Sequence, residues 1–440
     1  MLKVLKFGGT SVGSAQRIKD LVALTVNAEA KLVVLSAMSG TTNSLVEICS
    51  HLYNKDLTTA RQKIDSLKQR YLNECSELYS SEKGKAQSTE LVNYHFDYLH
   101  SFTLDLFTAN EEKAILAQGE LLSTAMFHYY LAETGVESVL LPALNFMRID
   151  ANEEPDMPYI EKYIREEIAK HKPSKLYITQ GYICRNAFGE IDNLKRGGSD
   201  YTASIVGAAL KSPEIQIWTD IDGMHNNDPR IVNKTHPIKE LSFDEAAELA
   251  YFGAKILHPT CILPAKKANI PVRLKNTMDP GAEGTIIANI HSGDGVKAVA
   301  AKDGITAITI KSDRMLLAHG FLRAVFEIFE RYKTPIDMIC TSEVAVSLTI
   351  DNPAHLPKIS AELKEIAQVE IDDNQTIICI VGQLPKDQAG YAHHVLAALK
   401  DIPLRMVSYG GSSNNISVLV HANLKKQALQ ALNQGLFNYR

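Results

Sequence analysis

Paired cysteines, long apolar runs and blocks of like charge are what this sequence lacks. Its six cysteines (Cys49, Cys75, Cys184, Cys261, Cys340 and Cys379) are widely scattered, and no two form a CxxC pair. They read as reduced structural thiols, which excludes a disulfide or zinc framework. No apolar run approaches the ~18 residues of a membrane span, and no charged and apolar leader precedes the first strand. A soluble, cytoplasmic chain is expected. A formal net charge of -5 and a pI near 6.3 argue against a nucleic-acid or membrane-surface partner. Missing too are a Ser-His-Asp arrangement, an HExxH pair and a kinase-type HRD loop.

What is there begins at the start. Leu2 to Phe7 is a short run rich in β-formers with Lys6 near its end, followed by Gly8-Gly9-Thr10-Ser11 and a helix-like run from Ala15. The glycines let a ligand approach the backbone, free N–H groups at a helix start attract anions, and Lys6 adds a full charge. Phosphate is the natural guest. The segment is neither a Walker A loop, since Ser14-Ala15 stands where Lys-Ser/Thr is needed, nor a GxGxxG fingerprint. An ordinary strand-to-helix turn meets the same description.

At 440 residues the chain has room for two to three domains. Strand and helix patterns alternate to about Ile48. Between about Asn54 and Glu133 glycines nearly vanish and a helical rhythm takes over, as in Ile64, Leu67, Tyr71, Cys75 and Leu78. Strand signals return at Val139-Leu140-Leu141, Leu176 to Thr179 and Ile215 to Thr219, which predicts a mainly parallel α/β sheet with ligands at the strands' carboxyl ends. A polar, Gly-rich break follows at Asn289 to Gly295. Beyond it, a helix from Gly320 and strands over Ile336 to Cys340 and Val344 to Ile350 form one unit. A helix from Gly390 and strands over Leu404 to Ser408 and Ile416 to Val420 repeat it. Two such α+β units suit a ligand-sensing or dimerising module.

Four further segments carry charge or exposed backbone. Gly119-Glu120 is expected near the start of a helix over Leu121 to Leu131, where the dipole favours a carboxylate and an ammonium ligand can be held. Lys195-Arg196-Gly197-Gly198-Ser199-Asp200 precedes a helix from Tyr201. Arg196 suits a carboxylate or phosphate, and Ser199 or Asp200 equally suits an N-cap. Trp218-Thr219-Asp220-Ile221-Asp222-Gly223 ends a strand with carboxylates that fit Mg²⁺ or a plain Asp-rich turn, and Asn227-Asp228-Pro229-Arg230 follows. Gly253-Ala254-Lys255 closes a helix from Asp244, its lysine suiting the helix C-terminus or a phosphate. Together these suit phosphoryl transfer. A carboxylate acceptor needs no general base, being ionised at pH 7 with a reference pKa of about 4, so an acyl phosphate is the favoured product.

Taken in order, Lys6-Phe7-Gly8-Gly9-Thr10-Ser11, Ser36-Ala37-Met38-Ser39-Gly40, Gly119-Glu120, Arg196-Gly197-Gly198-Ser199-Asp200, Thr219-Asp220, Asp228-Pro229-Arg230 and Gly253-Ala254-Lys255 resemble the aspartokinase signature. The C-terminal repeat resembles that family's paired ACT domains, especially in the lysine-sensitive monofunctional branch. The likeness runs from Leu2 to about Phe437. It implies an α/β amino-acid-kinase-type three-layer sandwich with a mainly parallel sheet, then paired ferredoxin-like α+β ACT domains. The implied domains are a kinase domain over 1–292, with a largely helical insertion over 54–133, and a regulatory region over 296–440. Its ACT units would span about 312–374 and 375–440, in sequence or interleaved.

The implied reaction uses ATP with Mg²⁺ to phosphorylate the side-chain carboxylate of L-aspartate, the first step toward lysine, threonine and methionine. By this resemblance Lys6, Gly8, Gly9 and Thr10 hold the transferred phosphoryl group, and Asp200 faces the reacting phosphates or Mg²⁺. Ser36, Thr42, Glu120, Arg196 and Ser199 hold aspartate, with Glu120 on its ammonium and Arg196 on a carboxylate. Thr219, Asp220, His225, Arg230 and Lys255 line the ATP site. Met315, Gly320, Phe321, Leu322, Asp337, Thr341, Ser342 and Glu343 match the lysine-effector pattern, and a dimer or higher oligomer through the ACT domains is implied. Lys195, Ile191-Asp192-Asn193, His225, Leu317 and Ala318 depart from the family's usual residues. A catalytically weak ACT-based sensor, or a sister kinase acting on another carboxylate, are the other readings. Lys6, Glu120, Arg196 and Asp200 occurring together favour the aspartokinase.

Overall fold

Lys31–Leu35 and Leu176–Gln180 are short runs buried at every position, the pattern of strands covered on both faces. In the computed structural model they lie side by side in a parallel sheet. The structure describes all residues except 105, 195–196, 254–257, 292, 313–318 and 438–440.

The chain divides into two compact units, one made of Met1–Met224 and Ile256–Asn289, the other of His225–Lys255 and Ile290–Arg440. The first unit opens with β1 (Lys3–Phe7), α1 (Ala15–Thr25), β2 (Lys31–Leu35), α2 (Thr41–Tyr53), α3 (Leu57–Leu78), α4 (Glu82–Ser101) and α5 (Ala109–Glu133). It continues with β3 (Val139–Leu141), α6 (Met157–Ala169), β4 (Leu176–Gln180), β5 (Ile183–Arg185), β6 (Ile191–Asn193), α7 (Gly198–Leu210) and β7 (Ile215–Thr219). The chain then contributes β8 (Glu240–Ser242) and α8 (Phe243–Tyr251) to the second unit and returns for α9 (Leu263–Ala268), β9 (Val272–Asn276) and β10 (Thr285–Ala288).

Within the first unit the sheet runs β3-β4-β2-β1-β7-β9-β10, parallel throughout except where β10 pairs with β9. Alternation along β1 sends Leu5 and Phe7 into a core with Ile18, Leu45, Tyr71, Phe96 and Phe127, so α3 and α4 are built into that core. Lys6 therefore faces the other side, where its ammonium meets α7.

The second unit ends with β11 (Gly295–Lys311), α10 (Phe321–Arg331), β12 (Ile339–Thr341), β13 (Ala345–Ile350), α11 (Leu356–Ile366), β14 (Gln368–Gln383), α12 (Tyr391–Ala398), β15 (Met406–Tyr409), β16 (Asn415–His421) and α13 (Lys425–Phe437). Its antiparallel sheet runs β12-β13-β11-β14-β16-β15. α10 buries Val325, Ile328 and Phe329, the one-face spacing of an amphipathic helix, against Ile308, Leu348 and Ile359.

One expected boundary differs from this packing. A single division near residue 292 leaves His225–Lys255 with the kinase domain, whereas that stretch packs with the C-terminal segment. Val232 enters the core around Ile378 and Leu429, the Asn226 carbonyl accepts from Val299 N–H at 2.8 Å, and Asn227 Nδ2 donates to the Leu429 carbonyl at 3.1 Å. The two α+β copies interleave: Gly295 to Lys302 of β11 pair with Gln383 to Ile377 of β14, while Thr306 to Lys311 pair with β13. The second copy thus takes a strand from ahead of the first. With only β16 beside it, the far half of β14 would expose an unpaired edge.

Among the described residues no helix is long and apolar enough to cross a membrane. All six cysteines are free thiols, and Cys340 alone is not fully buried.

Candidate functional site

The turn after β1 opens a cleft of about 550 Å³. Gly8 N–H donates to the Trp218 carbonyl at 3.3 Å, and Ser11 N–H donates to the Gly8 carbonyl at 2.9 Å. A Cβ on Gly9 would lie 3.0 Å from the Ala37 carbonyl oxygen, so glycine is what lets the loop after β2 come this close.

Of the two glycine turns that precede helices in the sequence, the first does not leave its helix end free. α1 begins right after the glycine turn, but the Ser14 side chain caps it and Glu74 Oε2 accepts from Ala15 N–H at 2.7 Å. The protein's own carboxylate already serves that N-terminus. At the cleft, α2 and α7 are uncapped: Gly40 and Gly197 are their N-caps, both left-handed, neither with a side-chain cap bond. Both glycines line the cleft. At Gly197 a Cβ would strike Cys261 Sγ at 1.9 Å.

Lys6 Nζ lies 2.6 Å from Asp200 Oδ1, with both side chains largely buried. Ser36 Oγ donates to Ser199 Oγ at 2.8 Å, so neither Ser199 nor Asp200 acts as the N-cap of α7. Glu120 sits in the middle of α5, not at a helix start, and gains nothing from the helix dipole there. Gly119 reads as a boundary in the sequence. Its role is close packing, because a Cβ would lie 2.7 Å from that of Ala37. Glu120 Oε1 accepts from Ala37 N–H at 3.1 Å, while its buried Oε2 has no hydrogen-bond partner. Burial pushes the carboxyl up to about 8, against smaller opposing effects of the Ala37 N–H and the Lys6 charge.

The cleft thus brings together Lys6, Gly8, Gly9, Thr10, Ser36, Thr42, Glu120, Ser199, Thr219 and Asp220 of the expected residues, with Asp200 joined through its bond to Lys6. It also gathers Tyr182, which the sequence reading missed. Tyr182 has a φ of 66°, its N–H donates to Thr202 Oγ1 at 2.9 Å, and its ring lies against Gly198. Nothing in the local sequence signals that conformation. Arg196, Lys255 and Met315 lie outside the described residues. His225 and Arg230 belong to the second unit, where His225 Nδ1 bonds Thr235 Oγ1 at 3.0 Å and Arg230 forms a two-pronged pair with Asp228. Among the described residues no three His, Cys, Asp or Glu side chains gather as a metal site. The cleft carboxylates Asp200 and Asp220 fit the alternative, a Mg²⁺ carried largely by phosphates and water.

Of the effector residues, Gly320 caps α10, Phe321 and Leu322 begin it, and Thr341 at the end of β12 and Ser342 and Glu343 after it are exposed. Asp337 is engaged from within. Its side chain is 1% exposed, Lys302 Nζ lies 2.9 Å from its Oδ1, and Tyr251 Oη donates to the same oxygen at 2.7 Å. Lys302 also pairs with Asp351 at 2.9 Å and lies 4.4 Å from the centre of the Tyr251 ring.

Residues 1–276 match the model of the amino acid kinase family, and residues 378–436 match that of the ACT domain. Lysine-sensitive aspartokinase 3 of Escherichia coli (strain K12) is 32% identical over 99% of this chain and 99% of its own length. The chain belongs to the aspartokinase family. Aspartokinase 1, chloroplastic, of Arabidopsis thaliana is 35% identical over 99% of this chain and 80% of its own. The crystal structure of E. coli aspartokinase III in complex with aspartate and ADP is 30% identical, covers 100% of both chains and superposes with a TM-score of 0.83. The α/β kinase fold and the antiparallel ACT sheet expected from the motifs are those of this family.

Proposed function

We propose that this cleft transfers the γ-phosphoryl group of ATP to the side-chain carboxylate of L-aspartate. A carboxylate oxygen attacks the γ-phosphorus, the bond to the β-phosphate oxygen breaks, and 4-phospho-L-aspartate and ADP leave. One observation carries the reading: the Lys6–Asp200 pair lies in a cleft lined by two uncapped helix N-termini, beside a buried carboxylate with an unpartnered oxygen. The aspartate and ADP held by the E. coli structure, one substrate and one product of this reaction, support the reading.

In this reading Glu120 Oε2 takes the substrate ammonium, and Ser36, Thr42 and Ser199, with Arg196, hold its carboxylates. Lys6 and the backbone of Gly8, Gly9 and Thr10 neutralise charge on the transferring group, which is the main task in such a reaction. Thr219 and Asp220 face the nucleotide, and His225, Arg230 and Lys255 are assigned to it by family likeness. Asp200 and Asp220 are the carboxylates that would hold Mg²⁺, which would supply positive charge to offset that of the phosphates.

The first unit is read as catalytic and the second as regulatory. Lysine is the favoured effector, supported by the lysine-sensitive E. coli relative. Its ammonium would reach Asp337 only by displacing Lys302. A dimer through the ACT domains is also proposed, because Leu322 and Phe326 of α10 and Ile339 of β12 leave apolar surface exposed there. The free, buried thiols suit a reducing compartment such as the cytoplasm.

Trapping with hydroxylamine tests the chemistry. ATP and aspartate should yield aspartyl hydroxamate. Loss of ATP without hydroxamate would contradict an acyl-phosphate product.

A further inference from the structure

The loop between β2 and α2 forms one wall of the cleft, and it is held from behind by α3, part of the expected helical insertion. Arg70 and Tyr71 are consecutive residues of α3. Arg70 Nη2 donates to the Ser39 carbonyl at 2.7 Å, and the Tyr71 hydroxyl bonds Thr41 Oγ1 at 2.9 Å in a fully buried contact. Between Ser39 and Thr41 stands Gly40, at φ 80°, the uncapped N-cap of α2.

We propose that Arg70 and Tyr71 fix the shape of this loop for the substrate, with Arg70 a positioning residue for aspartate binding. The inference rests on the aspartate reading given above. The loop is gripped at alternate residues: Ala37 by Glu120 from the cleft side, Ser39 by Arg70 and Thr41 by Tyr71. A trans peptide holds its C=O and N–H on opposite sides, so anchoring the Ser39 carbonyl on Arg70 turns the Gly40 N–H the other way. The same anchor sets where α2 begins, and with it Thr42, which lines the cleft. Arg70 belongs on the outer side of this loop, not among the cleft residues. A Cβ on Gly40 would come 3.4 Å from Arg70 Nη1, so the guanidinium packs against the turn itself. A charge-assisted hydrogen bond to a carbonyl is stronger than a neutral one, and its loss frees a glycine-containing turn to sample other conformations.

The test is steady-state kinetics on the full chain, with wild type, Arg70→Met, Arg70→Lys and Tyr71→Phe measured side by side. Arg70→Met should raise KM for aspartate about tenfold, a factor typical of one hydrogen bond to a charged group. kcat, KM for ATP and the melting temperature should stay near wild type. Arg70→Lys should recover part of the loss, and Tyr71→Phe should raise KM for aspartate in the same direction. An unchanged KM in an active Arg70→Met protein overturns the inference. So does a parallel fall in melting temperature, kcat and both affinities, which is the signature of a purely structural contact. A wild type that turns over without aspartate overturns the substrate reading itself, an outcome separate from any effect of the variants.

Discussion

Lys6 Nζ and Asp200 Oδ1 lie 2.6 Å apart, joining the end of the first strand to the first turn of α7. Alternation along β1 turns Lys6 that way, Asp200 follows the Gly197-Gly198 turn, and each gives the other's charge a partner. Lys6 faces away from the apolar core that Leu5 and Phe7 fill, so its charge serves the cleft.

Replacing Lys6 by Met should lower kcat by about two to three orders of magnitude, the usual effect of losing one group that stabilises transition-state charge. The far-UV circular dichroism should be unchanged. Because Asp200 is left without its cation, some thermal stability should also be lost, and Lys6→Met with Asp200→Asn should restore stability without restoring turnover. A kcat within tenfold of wild type would remove Lys6 from the catalytic group.

Glu120 makes aspartate binding pH-dependent. Burial holds its carboxyl at about 8, so the neutral acid predominates in the free protein at pH 7. A bound ammonium favours the carboxylate, and binding must therefore release a proton. KM for aspartate should fall as pH rises from 6.5 to 8 and level off above, by at most about tenfold per unit. Calorimetry in buffers of different ionisation enthalpy should register the released proton. The effect on stability has the opposite sense. In the unfolded chain Glu120 ionises near 4.5, well below its folded value, so its contribution is complete below 4.5 and is lost as pH rises through about 8. Glu120→Gln should abolish both trends, and a flat KM profile in the wild type would contradict the assignment.

Lys302 should hold the second unit together through Asp337. Burial alone would lower its pKa, but the hydrogen bonds and charges of Asp351 and Asp337 outweigh it and leave the ammonium above its ordinary value. Its contribution is then full below an unfolded pKa near 10.5 and constant across pH 6 to 9. Lys302→Ala should cost up to about 3 kcal/mol, since it strands a buried carboxylate, and adding Asp337→Asn should recover part of that. Asp337→Asn should also relieve inhibition by lysine while preserving turnover. Additive stability losses in the double variant would show that the pair is not coupled, and unaltered inhibition would place the effector elsewhere.

The parts of this molecule legible in the sequence are those set by short-range pattern. Strand β1 with its glycine turn, the parallel sheet and the two α+β copies follow from alternation, apolar runs and glycine position. Distant contacts decide the rest. Gly119 looks like a helix boundary until the neighbouring Ala37 explains it as a packing site inside α5. The α1 N-terminus looks free until Glu74, far along the chain, occupies it. The pairing of Lys302 with Ile377, which interleaves the two copies, has no local signal, and neither has the reach of Arg70 to Ser39.

The most direct test of the central claim is ADP release measured with ATP and Mg²⁺ alone, with L-glutamate, and with L-aspartate. The account predicts release only with aspartate, at a rate that Lys6→Met all but eliminates. Release independent of aspartate, or none under any condition, would contradict it.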